Sequence, residues 1–390
     1  MNVIGERIKI FFFIATFSLL LLLPMKTVID NIAFGLIVLL GAYLIYQQND
    51  PIKFNISSIL ILIFGVILYS SSVCETNSFS FLKEHRDMAK IILLFLIYKH
   101  IVLTRKDVLL CIVIPLGISS WMLFFVGMYK FYFFHDYVRF HLFTNINRSS
   151  IYALLALSIL LPFTFEVKRY HYLMLFTIFI ILATIIMLGS RTAIVLAFLV
   201  LSCYFLLLDR TIPLKKIIIL VAGMTLCVLI IFYLNYDLLN NKLENITYEP
   251  YRPKIWQAGI DAYIHSKQWL LGIGTSQFDT IDLMPYNTPN LPNHIRSAHN
   301  LFIEILVENG LLGLIIYLSF LYSILKNIWN NHSKILFNIG ILTFLVHIGT
   351  SMTETTLIKE HGALLLIIFA LCTNSFLSLS SHEINKEKKC

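Results

Sequence analysis

Apolar residues dominate this 390-residue chain in long unbroken runs, separated by short polar connectors. Crossing the hydrocarbon core of a bilayer takes about 20 apolar helical residues, with about 17–25 as the usual range. Because the apolar residues are continuous instead of alternating, the runs predict helices and not barrel strands. We therefore expect an all-α integral membrane protein with about 12 transmembrane helices. The runs are 8–23, 28–46, 56–73, 88–103, 108–128, 150–167, 172–188, 192–208, 217–234, 311–328, 335–352 and 364–379.

The longest polar interruption of this pattern is the segment 235–298, which is expected to form one large loop. Pro253 suits the first turn of a helix that continues to about Ser266. A helix that lies on a membrane surface needs one apolar face. Here that face consists of Ile255, Trp256, Gly259, Ile260 and Tyr263.

A second short amphipathic helix is predicted over residues 300–309, directly after the loop. Asn300, Glu304 and Glu308 are spaced by four residues and form its polar stripe. The pair Asn309-Gly310 predicts the end of this helix, because glycine adopts the left-handed conformation that ends many helices.

Composition excludes a soluble globular protein, since charged residues make up only 13% of the chain and the mean hydropathy is +0.80. Lys and Arg are more frequent in the short connectors on the N-terminal side, which predicts that both termini are cytoplasmic. The loop 235–298 then lies outside the cytoplasm. The net charge of +8 mostly reflects this bias, so no nucleic-acid partner is expected. The first apolar run lacks a cleavage site and reads as a retained anchor.

The predicted organisation follows from these assignments. Residues 1–234 hold transmembrane helices one to nine, and residues 235–298 form the large loop. Residues 299–381 hold a short helix and the last three transmembrane helices, and residues 382–390 form a cytoplasmic tail.

The sequence predicts neither a metal site nor a cofactor. The six cysteines show no C-x-x-C pair and no Cys/His spacing typical of zinc. Asp279 and Asp282 have no further acidic residues at a ligand spacing, and no nucleotide-binding glycine loop is present. An enzyme that acts on a diphosphate here would neutralise the leaving group with arginine instead of a divalent cation.

Arg191 is the sharpest single candidate for chemistry. It lies in the tight link GSRTA at 189–193, between two predicted spans. A guanidinium at the membrane boundary, where this link is expected, is costly unless it meets an anion or water. It can bind phosphate through two parallel N–H groups, or it can extend its charge to lipid headgroups. The sequence leaves both interpretations open.

Other cations of the polar segments could contribute to the same anion site. Arg252 precedes Pro253 and is expected at a helix N-terminus, where free N–H groups already favour an anion. Each cation could equally belong to a solvated surface. The weaker candidates are Arg139, Arg148 and Lys254.

His299 lies in the motif SAHN at 297–300, where the second short helix begins. The positive end of a helix dipole disfavours a charged imidazole, so His299 is a candidate proton acceptor. A single histidine is also common in a purely structural role, and the sequence does not separate the two.

Together these features resemble the O-antigen ligase and polymerase superfamily of bacterial envelopes. The resemblance rests on the twelve runs, the GSRTA link, one large loop after the ninth run, and an ordered series of motifs. This series reads RPKIWQAG at 252–259, LGIG at 271–274, HN at 299–300 and ENGLLG at 308–313. In addition, the stretch 139–147 is similar to the family's outer arginine and asparagine pair, although Ile146 departs from it.

The resemblance implies a GT-C-like membrane glycosyltransferase in the inner membrane of a Gram-negative bacterium, with a periplasmic active site and no metal. Its donor is a glycan on undecaprenyl diphosphate, and its acceptor is the lipid A-core oligosaccharide. Diphosphate binding then falls on Arg191 and Arg252, with Arg139 as a weaker third ligand. His299 serves the acceptor hydroxyl as base. Supporting roles fall on Arg148, Lys254 and Asn300.

Two other functions stay open. A polymerase of the same superfamily uses the same donor but extends another lipid-linked glycan, and the motifs do not separate it well from a ligase. The compact chain with one dominant loop favours the ligase. A transporter, or a flippase for lipid-linked oligosaccharides, should show charge deep in its spans and repeated halves. Here the ionisable residues cluster at the ends of the runs, and no repeat is visible.

Overall fold

The computed structural model describes residues 3–23, 28–48, 54–73, 79–134, 146–166, 170–208, 251–286, 295, 297–355 and 360–374. Within these ranges the regular structure is helical and no strand occurs, which confirms the all-α class. The helices are α1 (Val3–Leu22), α2 (Val28–Gln47), α3 (Ile56–Val73), α4 (Phe79–His100), α5 (Arg105–Val108), α6 (Ile114–Phe134), α7 (Ile146–Glu166), α8 (His171–Leu188), α9 (Arg191–Ser202), α10 (Tyr251–Ser266), α11 (Leu301–Trp329), α12 (Lys334–Ser351) and α13 (Glu360–Cys372).

Helices occupy the predicted apolar runs wherever the chain is described, whereas the ninth run, 217–234, lies outside the described residues. By length and hydropathy, six helices of the described ranges can cross a membrane: Lys106–Lys130, Ile146–Glu166, His171–Leu188, Arg191–Leu208, Leu301–Trp329 and Lys334–Ser351. Shorter apolar helices are Asn31–Gln47, Ile56–Ser70 and His361–Cys372. The total of twelve spans remains a prediction.

Helix α7 lies near the centre of the bundle and is buried over most of its length. Its Tyr152 hydroxyl donates to the carbonyl of Leu20, 3.1 Å away, and Ser158 Oγ lies 2.9 Å from Thr343 Oγ1 on α12. Between helices that pack in lipid, such hydrogen bonds replace part of the hydrophobic driving force. These contacts make α7 a rigid element, and its first turn is fixed with it.

Helix α11 is broken at Gly310, which has φ 68° and ψ −172°. The sequence predicted the end of a short helix here, and the structure agrees. The first half, residues 301–309, belongs with the loop, and the second half begins an apolar span. A break leaves carbonyls of the first half and N–H groups of the second half without helical partners.

Residues 268–274, called the clasp below, supply those partners. The N–H groups of Ile273 and Gly274 donate to the carbonyls of Val307 and Glu308 at 2.9 and 3.0 Å. In the other direction, the N–H groups of Leu311 and Leu312 donate to carbonyls of the clasp at 2.9 and 3.2 Å. The clasp thus closes both helix ends and fixes the loop against the bundle.

We expect Gly310→Ala to lower the thermal stability of the protein in detergent. The φ and ψ of Gly310 fall in a region open essentially to glycine alone, and forcing another residue there costs about 1–3 kcal/mol. A Cβ at this position would also overlap the carbonyl of Leu270. Gly35→Ala is the matched control, because a Cβ there meets nothing within 4 Å. Equal melting temperatures for the two variants would contradict this account of the break.

The polar stripe of the first half of α11 faces protein and not solvent. Glu304 and Glu308 are both buried. Glu304 Oε2 accepts hydrogen bonds from the N–H of Ala298 at 2.9 Å and from the hydroxyl of Thr355 at 2.7 Å. Glu308 Oε1 accepts from the N–H of Phe278 at 3.1 Å. These carboxylates hold the loop in place, because a buried carboxylate needs such donors.

Helix α10 runs from Tyr251 to Ser266, as predicted, but the expectation for its apolar face is wrong in part. Ile255 and Gly259 do not face a membrane; they are buried in a small core of the loop itself. A Cβ on Gly259 would lie 2.9 Å from the ring of Phe278, so close packing explains the glycine. The buried members of this core are Ile255, Ala258, Phe278, Ile281, Leu283, Ala298 and Val307.

Candidate active site

One end of the bundle brings together the start of α7, the link between α8 and α9, the end of α12 and the start of α10. They surround a small cleft that is partly open to solvent. Elements that lie far apart in the sequence thus meet at one small, partly open cavity. It is lined by Asn147, Ser150, Ile151, Leu154, Ser190, Thr192, Ala193, Arg252, Thr350, Thr353 and Glu354.

Glu354, just beyond the end of α12, connects the polar groups of this cavity. Its Oε1 lies 3.5 Å from Nη2 of Arg252 and accepts a hydrogen bond from Nδ2 of Asn147. Its Oε2 lies 3.3 Å from Nδ1 of His299. The Glu354 side chain is only 15% exposed, so these contacts are partly shielded from water and are stronger than at a free surface.

Sequence reasoning missed Glu354. The available signal was an acidic residue in the sequence TET, directly after an apolar run whose end was placed on the same side as the large loop. A carboxylate among arginines looks unsuited to an anion site, which is why charge alone did not point to it. Only the fold places it against Arg252 and His299.

His299 occupies the position before the cap of α11 and has a positive φ of 50°. Asn300 is the cap: its Oδ1 accepts from the N–H groups of Phe302 and Ile303 at 3.1 and 3.2 Å. This geometry turns the ring out of the helix and leaves it 34% exposed. With Nδ1 facing a carboxylate, the proton of a neutral ring is held on Nδ1, and Nε2 carries the free lone pair.

Asn300 also contacts the end of α12, since its Nδ2 donates to the carbonyl of Met352 at 3.4 Å. That bond ties the start of α11 to the end of α12, two residues before Glu354. Of the supporting residues predicted from the sequence, Asn300 thus has a visible structural task.

Arg252 lies in the first turn of α10 with its side chain 41% exposed. N–H groups of a first turn have no helical partners, and Pro253 contributes none of its own. An anion at this point would meet both the guanidinium and the positive end of the helix dipole. The prediction of a helix N-terminus at Arg252 agrees with the structure.

Arg191 begins α9 and its side chain is exposed. Its two neighbours Ser190 and Thr192 line the cavity, but Arg191 itself does not. Within the described ranges its guanidinium makes no hydrogen bond or ion pair with the protein. Arg191 thus lies at the same end of the bundle as the cavity.

The remaining predicted cations are placed less clearly. Arg148 lies in the first turn of α7, next to Asn147, and Lys254 lies in the first turn of α10. Both are half-buried and engaged in contacts with the protein. Arg139 lies outside the described residues.

No group of three His, Cys, Asp or Glu side chains suited to a metal ion occurs in the part of the chain that the structure describes. Asp279 and Asp282 are exposed in the loop. Arg252 at the cavity is suited to bind an anion, and His299 with Glu354 is suited to proton transfer.

Comparison with protein families gives one match. Residues 176–318 match the family described as O-antigen ligase, a range that contains Arg191, Arg252 and His299 but neither Asn147 nor Glu354. No curated protein matches the chain. The apolar helices and this match describe a multi-pass membrane protein of glycosyltransferase type. The match over these residues supports a place for this chain in the O-antigen ligase and polymerase superfamily.

Proposed function

We propose that this chain is an O-antigen ligase that moves a glycan from undecaprenyl diphosphate to the lipid A-core oligosaccharide. The reaction would take place on the periplasmic face of the inner membrane and would need no metal. The observation that carries the proposal is the double contact of Glu354, with Arg252 on one oxygen and His299 on the other. It supports the proposal because a guanidinium that can bind an anion and an imidazole that can accept a proton lie beside the same cavity.

The proposed reaction is a single displacement. Nε2 of His299 takes the proton from the acceptor hydroxyl as its oxygen attacks the anomeric carbon of the donor. The bond from that carbon to the diphosphate oxygen breaks, and its electron pair stays on undecaprenyl diphosphate. A single displacement inverts the anomeric configuration. Arg252 and Arg191 stabilise the charge that develops on the leaving group.

Glu354 acts in this scheme as a positioning residue. It holds Nδ1–H of His299 and stabilises the imidazolium that forms when the ring takes the proton, as the aspartate does in a Ser-His-Asp triad. It also holds the guanidinium of Arg252 at the edge of the cavity. Its own negative charge opposes diphosphate binding, which is why the proposal needs more than one cation at this end.

We expect Glu354→Gln to lower transfer by about 10²- to 10⁴-fold with normal insertion into the membrane. An amide keeps the size of the side chain but no longer stabilises the imidazolium, and loss of such a carboxylate is costly in other triads. A gel-based transfer assay on isolated membranes measures the effect. Asp279→Asn is the matched control, because Asp279 is an exposed carboxylate of the large loop and does not line the cavity; equal activity of the two variants would remove Glu354 from the mechanism.

Deletion of the gene separates ligase from polymerase in the cell. Loss of a ligase leaves the lipid A-core uncapped while polymer accumulates on undecaprenyl diphosphate. Loss of a polymerase leaves core capped by a single repeat unit, because ligation still runs. We expect the first pattern on a lipopolysaccharide gel, and single-repeat capping would assign the chain to the polymerases.

A further inference from the structure

The turn that follows α10 presents three large apolar side chains in a row. Trp269, Leu270 and Leu271 are 61%, 67% and 42% exposed. Ile264, one turn earlier on α10, is exposed as well. In a loop that faces only water, contiguous exposed side chains of this size are rare and mark a contact surface.

The backbone of this turn is fixed at the level of a membrane span. The carbonyls of Trp269 and Leu270 accept the N–H groups of Leu311 and Leu312, at 2.9 and 3.2 Å. Leu311 and Leu312 form the first turn after the break in α11, where the apolar span begins. The three side chains therefore lie level with the first turn of that span.

The exposed surface of the turn continues along the exposed side of the span. On α11 the apolar side chains Leu311, Leu312, Ile315 and Leu318 are exposed in the same direction along the helix, as expected of a lipid-facing row. The hydroxyl of Tyr263 donates to the carbonyl of Trp269 at 2.7 Å. Tyr and Trp side chains are concentrated where a protein crosses the boundary between lipid and water.

We propose that the turn 269–271 is embedded in the phospholipid leaflet at this end of the bundle, at the boundary between headgroups and acyl chains. It joins the lipid-facing row of α11 and anchors the large loop to the membrane. Because the turn is the C-terminal continuation of α10, the anchor also restrains the helix whose first turn carries Arg252. This contact replaces the helix face expected from the sequence, which packs into the loop core.

Tryptophan quenching tests the proposal on the full-length protein in phospholipid nanodiscs. The chain has four tryptophans, and the variants Trp269→Phe and Trp256→Phe remove one each from the loop. Trp256 is the matched control, since its Nε1 donates to the carbonyl of Ala298 at 2.9 Å within the loop. We expect phosphatidylcholine brominated on its acyl chains to remove the same amount of tryptophan emission from the wild type and from Trp256→Phe. Trp269→Phe should lose a distinct part of that quenching.

A charge in the turn should remove the contact. In Leu270→Glu, the share of bromolipid quenching that belongs to Trp269 should fall, whereas Gln268→Glu, on the polar side of the turn, should keep it. Both proteins must run as a single species in detergent. The proposal is overturned if iodide in solution, and not bromolipid, quenches Trp269. It is also overturned if neither quencher reaches Trp269, since another part of the chain or a second copy then covers the turn.

Discussion

His299→Ala is expected to lower glycan transfer by about 100- to 10,000-fold, the usual cost of removing a general base. The reason is that Nε2 of His299 is the atom left free to take the proton once Glu354 holds Nδ1. Without it, the acceptor hydroxyl must lose its proton to water as the new bond forms. The ladder of polymer-bearing lipopolysaccharide should disappear from a gel at normal protein level.

His265→Ala is the control for this prediction. His265 is exposed in the same loop, and its Nδ1 lies 2.6 Å from the carbonyl of Asp261 on its own helix. It contacts nothing at the cavity, so its loss should leave the ladder intact. A ladder of normal intensity in the His299→Ala strain would remove the base from the mechanism.

The arginines should show the second largest effect. We expect Arg252→Ala and Arg191→Ala each to reduce transfer by about 10²- to 10³-fold, the magnitude found when one donor to a developing negative charge is lost. Lysine at either position should restore little of the transfer activity, because a point charge cannot make two parallel hydrogen bonds to phosphate. Initial rates in isolated membranes measure both effects.

Arg86→Ala is the matched control, since the Arg86 side chain is 60% exposed and pairs only weakly with the adjacent Asp87 at 3.3 Å. The same assay also distinguishes the roles of Arg252 and Arg191. Arg252 faces Glu354 at the cavity, whereas Arg191 is exposed at the start of α9. Near-normal transfer by a well-inserted Arg191→Ala protein would mean that Arg191 contacts lipid headgroups instead of the donor.

Much of the helical architecture could be predicted from the sequence, because a membrane span is defined by local hydropathy and length. The break at Gly310 could also be predicted from a local signal, because the glycine of an Asn-Gly pair often ends a helix. The clasp could not be predicted, because the carbonyls of Trp269 and Leu270 accept from N–H groups that lie 42 residues later in the chain.

The candidate site was predictable only in part. Arg252 and His299 stand at helix starts, and local signals mark such positions. Glu354 is selected by three contacts with residues 55, 102 and 207 positions away, so no local pattern indicates it. The face of α10 was misjudged for a related reason: apolar periodicity shows that a face is buried but not whether lipid or protein covers it.

Reconstitution of the purified protein is the most direct test of metal-independent glycan transfer to lipid A-core. The purified chain is placed in proteoliposomes with a glycan on undecaprenyl diphosphate, lipid A-core as acceptor, and an excess of chelator. We expect a glycan–core product to form, at a rate that the chelator does not change, and we expect Glu354→Gln and His299→Ala to form almost none. Consumption of the glycan only when a second lipid-linked glycan is the acceptor would contradict the ligase proposal, as would passage of the donor across the bilayer without any transfer.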